Sequence, residues 1–349
     1  MQDCAKIDDP SFHGGFDMND IRRIVSFLPS ATEMACALGL SDQLLGITHE
    51  CDYPPQVRDK PVVVRNVLPI ESMSQAEIDV AVTQRLRNGQ SLYRVEEALM
   101  QDIAPDLILT QDLCQVCAPS GNEVTQLLQS LPSKPEILWL TPKNIEQIFG
   151  NLRDLGAATG RSPIAEALIA AGQARLNKIE AATRTLVSRP RVFCMEWMDP
   201  VYCSGHWVPE MVRIAGGFDQ LGREGADSVR IKWDAVIEWK PEVLVVMPCG
   251  FDLQKSADEA RRLTSYPGWS DLPAVRDGRV YAVDANSYFA RPGPRVVEGT
   301  ELLAHLFHPE QFEWKGPANA FQRLTGPSPI PQKQFVASGA SSSVSYFTP

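Results

Sequence analysis

The chain lacks any hydrophobic run approaching the roughly 18 apolar residues of a membrane-spanning helix, although 44% of its 349 residues are hydrophobic. It also lacks a surplus of positive charge. Lys and Arg number 33 against 43 Asp and Glu, for a formal net charge of -10. Nucleic-acid binding needs clustered Lys and Arg to neutralise phosphates, so that class is not expected. The opening stretch MQDCAKIDDPSFHGGFDMND has neither a basic start nor an apolar core, so no secretory leader is read there. Cys4 follows no apolar stretch, which argues against a lipid-anchored cysteine. The expectation is a cytoplasmic protein, periplasmic only if the true start lies elsewhere. No Gly-x-Ser-x-Gly elbow, phosphate loop or dinucleotide fingerprint occurs, so no enzyme is expected. Eight cysteines in a chain this long without a leader read as thiols or ligands rather than a disulfide framework.

What is present begins with Arg23-Ile24-Val25-Ser26-Phe27-Leu28-Pro29-Ser30-Ala31-Thr32-Glu33. An apolar strand stops at a Pro-Ser turn, and an apolar helix follows. Free N–H groups at such a helix start point into the crevice where open α/β sheets bind ligands. Ser30, Ala31 and Thr32 are therefore candidate cleft residues, with Ser30 or Thr32 alternatively a helix cap. Strands are predicted at 24–27, 44–48, 61–64, 107–110 and 136–140, with helical spacing over 92–103. Strand and helix alternate, which means parallel sheets with helices on their faces. Residues 164–187 are rich in good helix formers. They predict one long helix between Ser162-Pro163 and Ser188-Arg189-Pro190. Strands return at 192–195, 243–247 and 280–283, with a helix over 208–215 stopped by Gly216-Gly217. The fold class is α/β. An N-terminal extension (1–20), a first lobe (21–142), a helical segment with a long bridging helix (143–189), a second lobe (190–308) and a flexible tail (309–349) are expected.

Six stretches taken together, "RIVSFLPSATEMACALGL", "LLGITHECDYPP", "APDLILTQDLCQVCA", "VFCMEWMDPVYCSGHWVPEMVRIAGG", "KPEVLVVMPCGF" and "LPAVRDGRVYAVDANSYFARPGPRVVEG", resemble the periplasmic-binding-protein fold of the cobalamin and iron-siderophore type. The likeness is greatest to the cobalamin-binding branch and spans roughly residues 22–309. It implies two lobes bridged by a rigid helix, a corrinoid or other metal chelate held between them, little hinge closure and no catalysis. It also implies an acid on each lobe that docks on an ABC permease. Glu96 or Glu97 matches on the first lobe, and Asp234 and Glu238 are the nearest acids on the second.

Two clusters carry chemistry. His49 and Cys51 follow one strand, and Cys114 and Cys117 form a C-x-x-C after another strand of the same lobe. One imidazole and three thiolates suit zinc, and thiolates also suit an iron–sulfur cluster. A redox dithiol, or small thiols without a partner, are the alternatives. In the second lobe Glu196 and Trp197 end one strand, and Cys249 and Phe251 end another. Gly205-His206-Trp207 lies just before a helix, the glycine admitting close backbone approach to a ligand. Trp197, Trp207, Phe251, Tyr288 and Phe289 could line a cleft for a corrin ring or fill the core. His206 reads as an axial ligand to cobalt or as a helix-end histidine, and Arg291 as an anion contact or an arginine paired with a local acid.

Overall fold

The computed structural model describes residues 21–111, 127–128, 131–132 and 134–324. The first lobe grows from β1 (Ile24–Ser26), whose three residues are all buried. After it come α1 (Pro29–Ala37), β2 (Leu44–Thr48), β3 (Val62–Asn66), α2 (Gln75–Arg87), β4 (Tyr93–Val95), α3 (Glu97–Ile103), β5 (Leu107–Thr110) and β6 (Glu136–Trp139). The sheet order is β4-β3-β2-β1-β5-β6. All neighbours are parallel except β3 and β4. β1 pairs Ile24 with Leu107 and Val25 with Ile108. Such continuous apolar runs belong to strands covered on both faces.

The helical spacing over 92–103 covers two elements rather than one. Tyr93 is buried and Arg94 exposed, the alternation of a half-buried edge strand, and α3 starts only at Glu97. α2 was not anticipated, although its start is written in the sequence. Ser74 and Glu77 form a capping box, with Ser74 N donating to Glu77 Oε2 at 2.8 Å.

Two helices then lead away from the first sheet. α4 (Ile145–Ala158) and α5 (Ser162–Thr183) pack as a hairpin. A Cβ on Gly156 would fall 2.6 Å from that of Ala165, so the glycine permits their close approach. α5 has 22 residues, which makes it ~33 Å long at 1.5 Å per residue. Pro163 sits in its first turn as expected. It ends at Thr183 rather than at Val187, where the Thr183 hydroxyl donates to Ile214 O at 3.0 Å.

The second lobe comprises β7 (Val192–Met198), β8 (Val201–Cys203), β9 (Gly205–His206), α6 (Val208–Ile214), β10 (Arg223–Glu224), α7 (Trp233–Trp239), β11 (Val243–Val246), α8 (Leu253–Ala260), α9 (Pro273–Arg276), β12 (Val280–Val283), α10 (Ala285–Tyr288), α11 (Val296–Phe307) and β13 (Phe321–Arg323). Its main sheet runs β13-β12-β11-β7-β8, parallel at the centre and antiparallel at both edges. β9 and β10 pair separately. The edge strand β13 lies inside the stretch expected to be a flexible tail. Phe321 pairs with Val283, while Phe312 and Trp314 pack on the core, so burial of these aromatics holds 309–324 to the lobe. Residues 1–20 and 325–349 lie outside the described residues.

One buried apolar cluster joins the lobes. It runs from Ile24 and Leu107 in the first sheet through Leu155 and Ala165 at the α4–α5 crossing to Val192 and Val243 in the second. The architecture is thus two α/β lobes bridged by a long helix. Among the described residues, no helix is long and apolar enough to cross a membrane.

Candidate functional site

Loops that follow the carboxyl ends of strands in the two parallel sheets meet. The loop after α10, at the carboxyl end of β12, inserts its arginines between the ends of β1 and β2. Arg291 Nη1 bonds Asp52 Oδ1 at 2.5 Å and Glu33 Oε1 at 3.3 Å, and its Nη2 donates to Glu50 O at 2.9 Å. Arg295 closes on Glu33 through Nε at 2.8 Å and Nη2 at 2.5 Å. The Glu33 and Arg291 side chains are only 3% and 8% exposed. Burial opposes the Arg291 charge, but Asp52 and Glu33 more than offset it and raise its pKa above the ordinary value. Arg291 is therefore paired with acids, but with acids of the opposite lobe rather than local ones. Arg295 also lies 4.1 Å from the ring centre of Tyr53, which is 44% exposed at the lip of the first lobe.

Across this seam the second-lobe candidates converge. Trp197 and Phe251 meet edge to face with ring centres 5.4 Å apart, and the Lys255 ammonium lies 4.1 Å over Phe251. Phe251 is buried beneath them, while Trp197 is half-buried. Cys249 N donates to Glu196 O at 3.3 Å, and the Cys249 side chain is exposed. Glu196 Oε1 accepts from Gly205 N at 3.0 Å, which ties this loop to His206. His206 has a left-handed backbone with φ 53 and places Nε2 3.2 Å from Asp227 Oδ1. Burial lowers its pKa despite Asp227, so the imidazole is neutral at pH 7. Lys143, in the turn between β6 and α4, adds to that lowering. The glycine before it does not serve ligand approach. A Cβ on Gly205 would collide with the Ser228 backbone, so the residue is required by that packing.

Other candidates lie elsewhere. Ser30, Ala31 and Thr32 are buried inside α1, whose N-cap is Leu28, so neither Ser30 nor Thr32 caps it. Ser30 abuts Gly293 of the inserted loop, where a Cβ would come within 3.6 Å. The Trp207 indole donates to Phe289 O at 2.9 Å within the core, and Tyr288 is buried edge to face with Trp314. Cys51 is buried with its Sγ 3.0 Å from Thr32 Oγ1, and burial pushes its thiol up to about 12. His49 Nδ1 lies 3.2 Å from Val64 O. Cys114 and Cys117 are outside the described residues, among which no group of three or more His, Cys, Asp or Glu could hold a metal ion. Glu96 pairs with Arg94 at 2.8 Å, whereas Glu97, Asp234 and Glu238 are exposed. Sequence reasoning missed Asp52, Tyr53 and Arg295, and named Glu33 only as the last residue of the opening motif. The signal available was a lone acid in an apolar helix start and two arginines around Pro-Gly-Pro.

Two α/β sheets joined by a bridging helix and sealed by a buried interlobe ion network invite comparison with known proteins. The periplasmic binding protein family matches residues 24–287. The chain belongs to that family. A similar protein is an uncharacterized ABC transporter substrate-binding lipoprotein of Bacillus subtilis, 25% identical over 88% of this chain and 86% of the relative. A vitamin B12-binding protein of Vibrio cholerae is 23% identical over 80% of this chain and 87% of its own length. Among solved structures, a periplasmic heme binding protein from Pseudomonas aeruginosa superposes with a TM-score of 0.62. It is 21% identical and covers 83% of this chain and 93% of that one. The expected cytoplasmic location does not stand. It rested on the absence of a leader, whereas this is a family of periplasmic binding proteins and a similar protein is a lipoprotein.

Proposed function

We propose that the chain is a non-catalytic binding protein that holds a flat metal chelate of the corrinoid class between its lobes and presents it to an ABC permease. The observation carrying this reading is a partly exposed aromatic ring on each lobe, Tyr53 at 44% exposure and the half-buried Trp197. Aromatic faces give broad, apolar, low-entropy contact to a planar macrocycle. The similarity to a vitamin B12-binding protein supports the ligand class.

His206 is the proposed axial ligand to the metal. Its imidazole is already neutral, so coordination displaces no proton. Asp227 holds Nε2 and orients the ring, the usual arrangement behind a coordinating histidine. Cys249 and Glu196 flank the same space. Glu97 on the first lobe, with Asp234 and Glu238 on the second, are the proposed docking acids, since each is exposed and Glu96 is taken by Arg94. Among the described residues no observation favours zinc, an iron–sulfur cluster or a redox dithiol.

Titration with cyanocobalamin, aquocobalamin and haemin, followed by absorbance and calorimetry, tests the reading. Micromolar or tighter binding of a cobalamin is expected. Absence of binding and of spectral change with both cobalamins rejects the corrinoid class, and haemin binding alone replaces it. His206→Ala should abolish the shift in the aquocobalamin spectrum at pH 7. In the unsubstituted protein acid should abolish that shift only at a pH lower than that at which a free imidazole protonates, because burial lowers the His206 pKa.

A further inference from the structure

α2 belongs to the first lobe by sequence, between β3 and β4, and Arg85 near its end bonds Ser91 O there, yet Gln75 and Asp79 bond to the second lobe. Gln75 at its first position is 1% exposed. Its Oε1 accepts from Met198 N at 2.8 Å and Asp199 N at 3.3 Å. One turn further, Asp79 receives Arg230 at 2.6 Å and the Tyr202 hydroxyl at 3.3 Å. Arg230 also donates to Tyr202 OH at 2.9 Å and lies 5.7 Å from its ring centre. The hairpin that receives α2 is that of β7 and β8, in which Trp197 pairs with Tyr202. Further along the same stripe α2 rests on the first lobe through Val82 and Leu86, both only partly buried. We infer that α2 is a strap that latches the β3 flank of the cleft and releases to let a ligand pass.

The contacts have the strength of a latch rather than a fixed joint. Arg230 is 50% exposed, and ion pairs open to water contribute little. Gln75 Nε2 is buried without a hydrogen-bond partner, so seating the amide carries an uncompensated desolvation cost. The seam at Glu33 is the opposite case, with several donors on one deeply buried carboxylate. The two flanks of the cleft therefore differ, and the α2 flank is the one that yields.

The strap rests on the cleft reading for its purpose, but it can be tested without a ligand. Amide hydrogen exchange should show α2 and the hairpin 198–202 protected together. Arg230→Ala should raise exchange at least threefold in both segments and leave β1 and β5 unchanged. The charge swap of Asp79→Arg with Arg230→Asp should restore protection. Unchanged exchange in α2, or a rise in α2 alone, overturns the latch. If cyanocobalamin or haemin binds, both its association and its dissociation should quicken at least threefold in Arg230→Ala, and unchanged rates overturn the gating role. If neither binds while exchange behaves as expected, the ligand class fails and the latch stands.

Discussion

Individual side chains here are set more by burial than by residue type. Desolvation lifts the Asp219 carboxyl to about 6, against hydrogen bonds from Cys194 N, Leu221 N, Gly222 N and Ser204 Oγ. Its folded pKa lies above the unfolded value, so its contribution to stability is full below about 3.9 and is lost as pH rises through about 6. Asp219→Ala orphans three backbone donors and should destabilise the protein by about 3 kcal/mol in urea unfolding at pH 5. The cysteines separate in the same way. Cys51 is buried with its thiol near 12, while Cys249 is exposed. Brief iodoacetamide treatment of the native protein at pH 8 should alkylate Cys249 and spare Cys51, as read by peptide mass spectrometry.

At the level of elements, α5 is the structural link. Leu176 is 3% exposed within the cluster that joins both lobes. Leu176→Ala should cost about 2–5 kcal/mol. Because the core is continuous, both lobes should unfold in one transition, with tryptophan fluorescence and circular dichroism coinciding. The parallel strands and α5 were legible because apolar runs and helix-forming composition are local signals. The β4–α3 pair was misread as one helix, because two short elements share apolar positions that also satisfy a helical period. β13 was hidden in a polar stretch, since an edge strand needs apolar residues on one face only.

Across the whole molecule, the interlobe seam is the dominant polar feature. Glu33→Gln takes a charge away from Arg295 and Arg291 in a buried setting, so a loss of about 3 kcal/mol is expected in urea unfolding. Asp52 is 44% exposed, and Asp52→Asn should cost less than about 1 kcal/mol by the same measurement. The sequence by itself determined the class of fold, the two-lobe order and the bridging helix, because these follow from periodicity and from the order of motifs along the chain. It also named several residues of the seam and cleft, including Arg291, Trp197 and His206. Only the tertiary structure decided which of them meet. Glu33 and Arg295 are 262 residues apart in sequence, and Asp79 and Arg230 are 151 apart. Pairings at such separations leave no periodic trace, and burial, which sends Trp207 and Thr32 into the core and leaves Tyr53 at the lip, is a property of the packed whole.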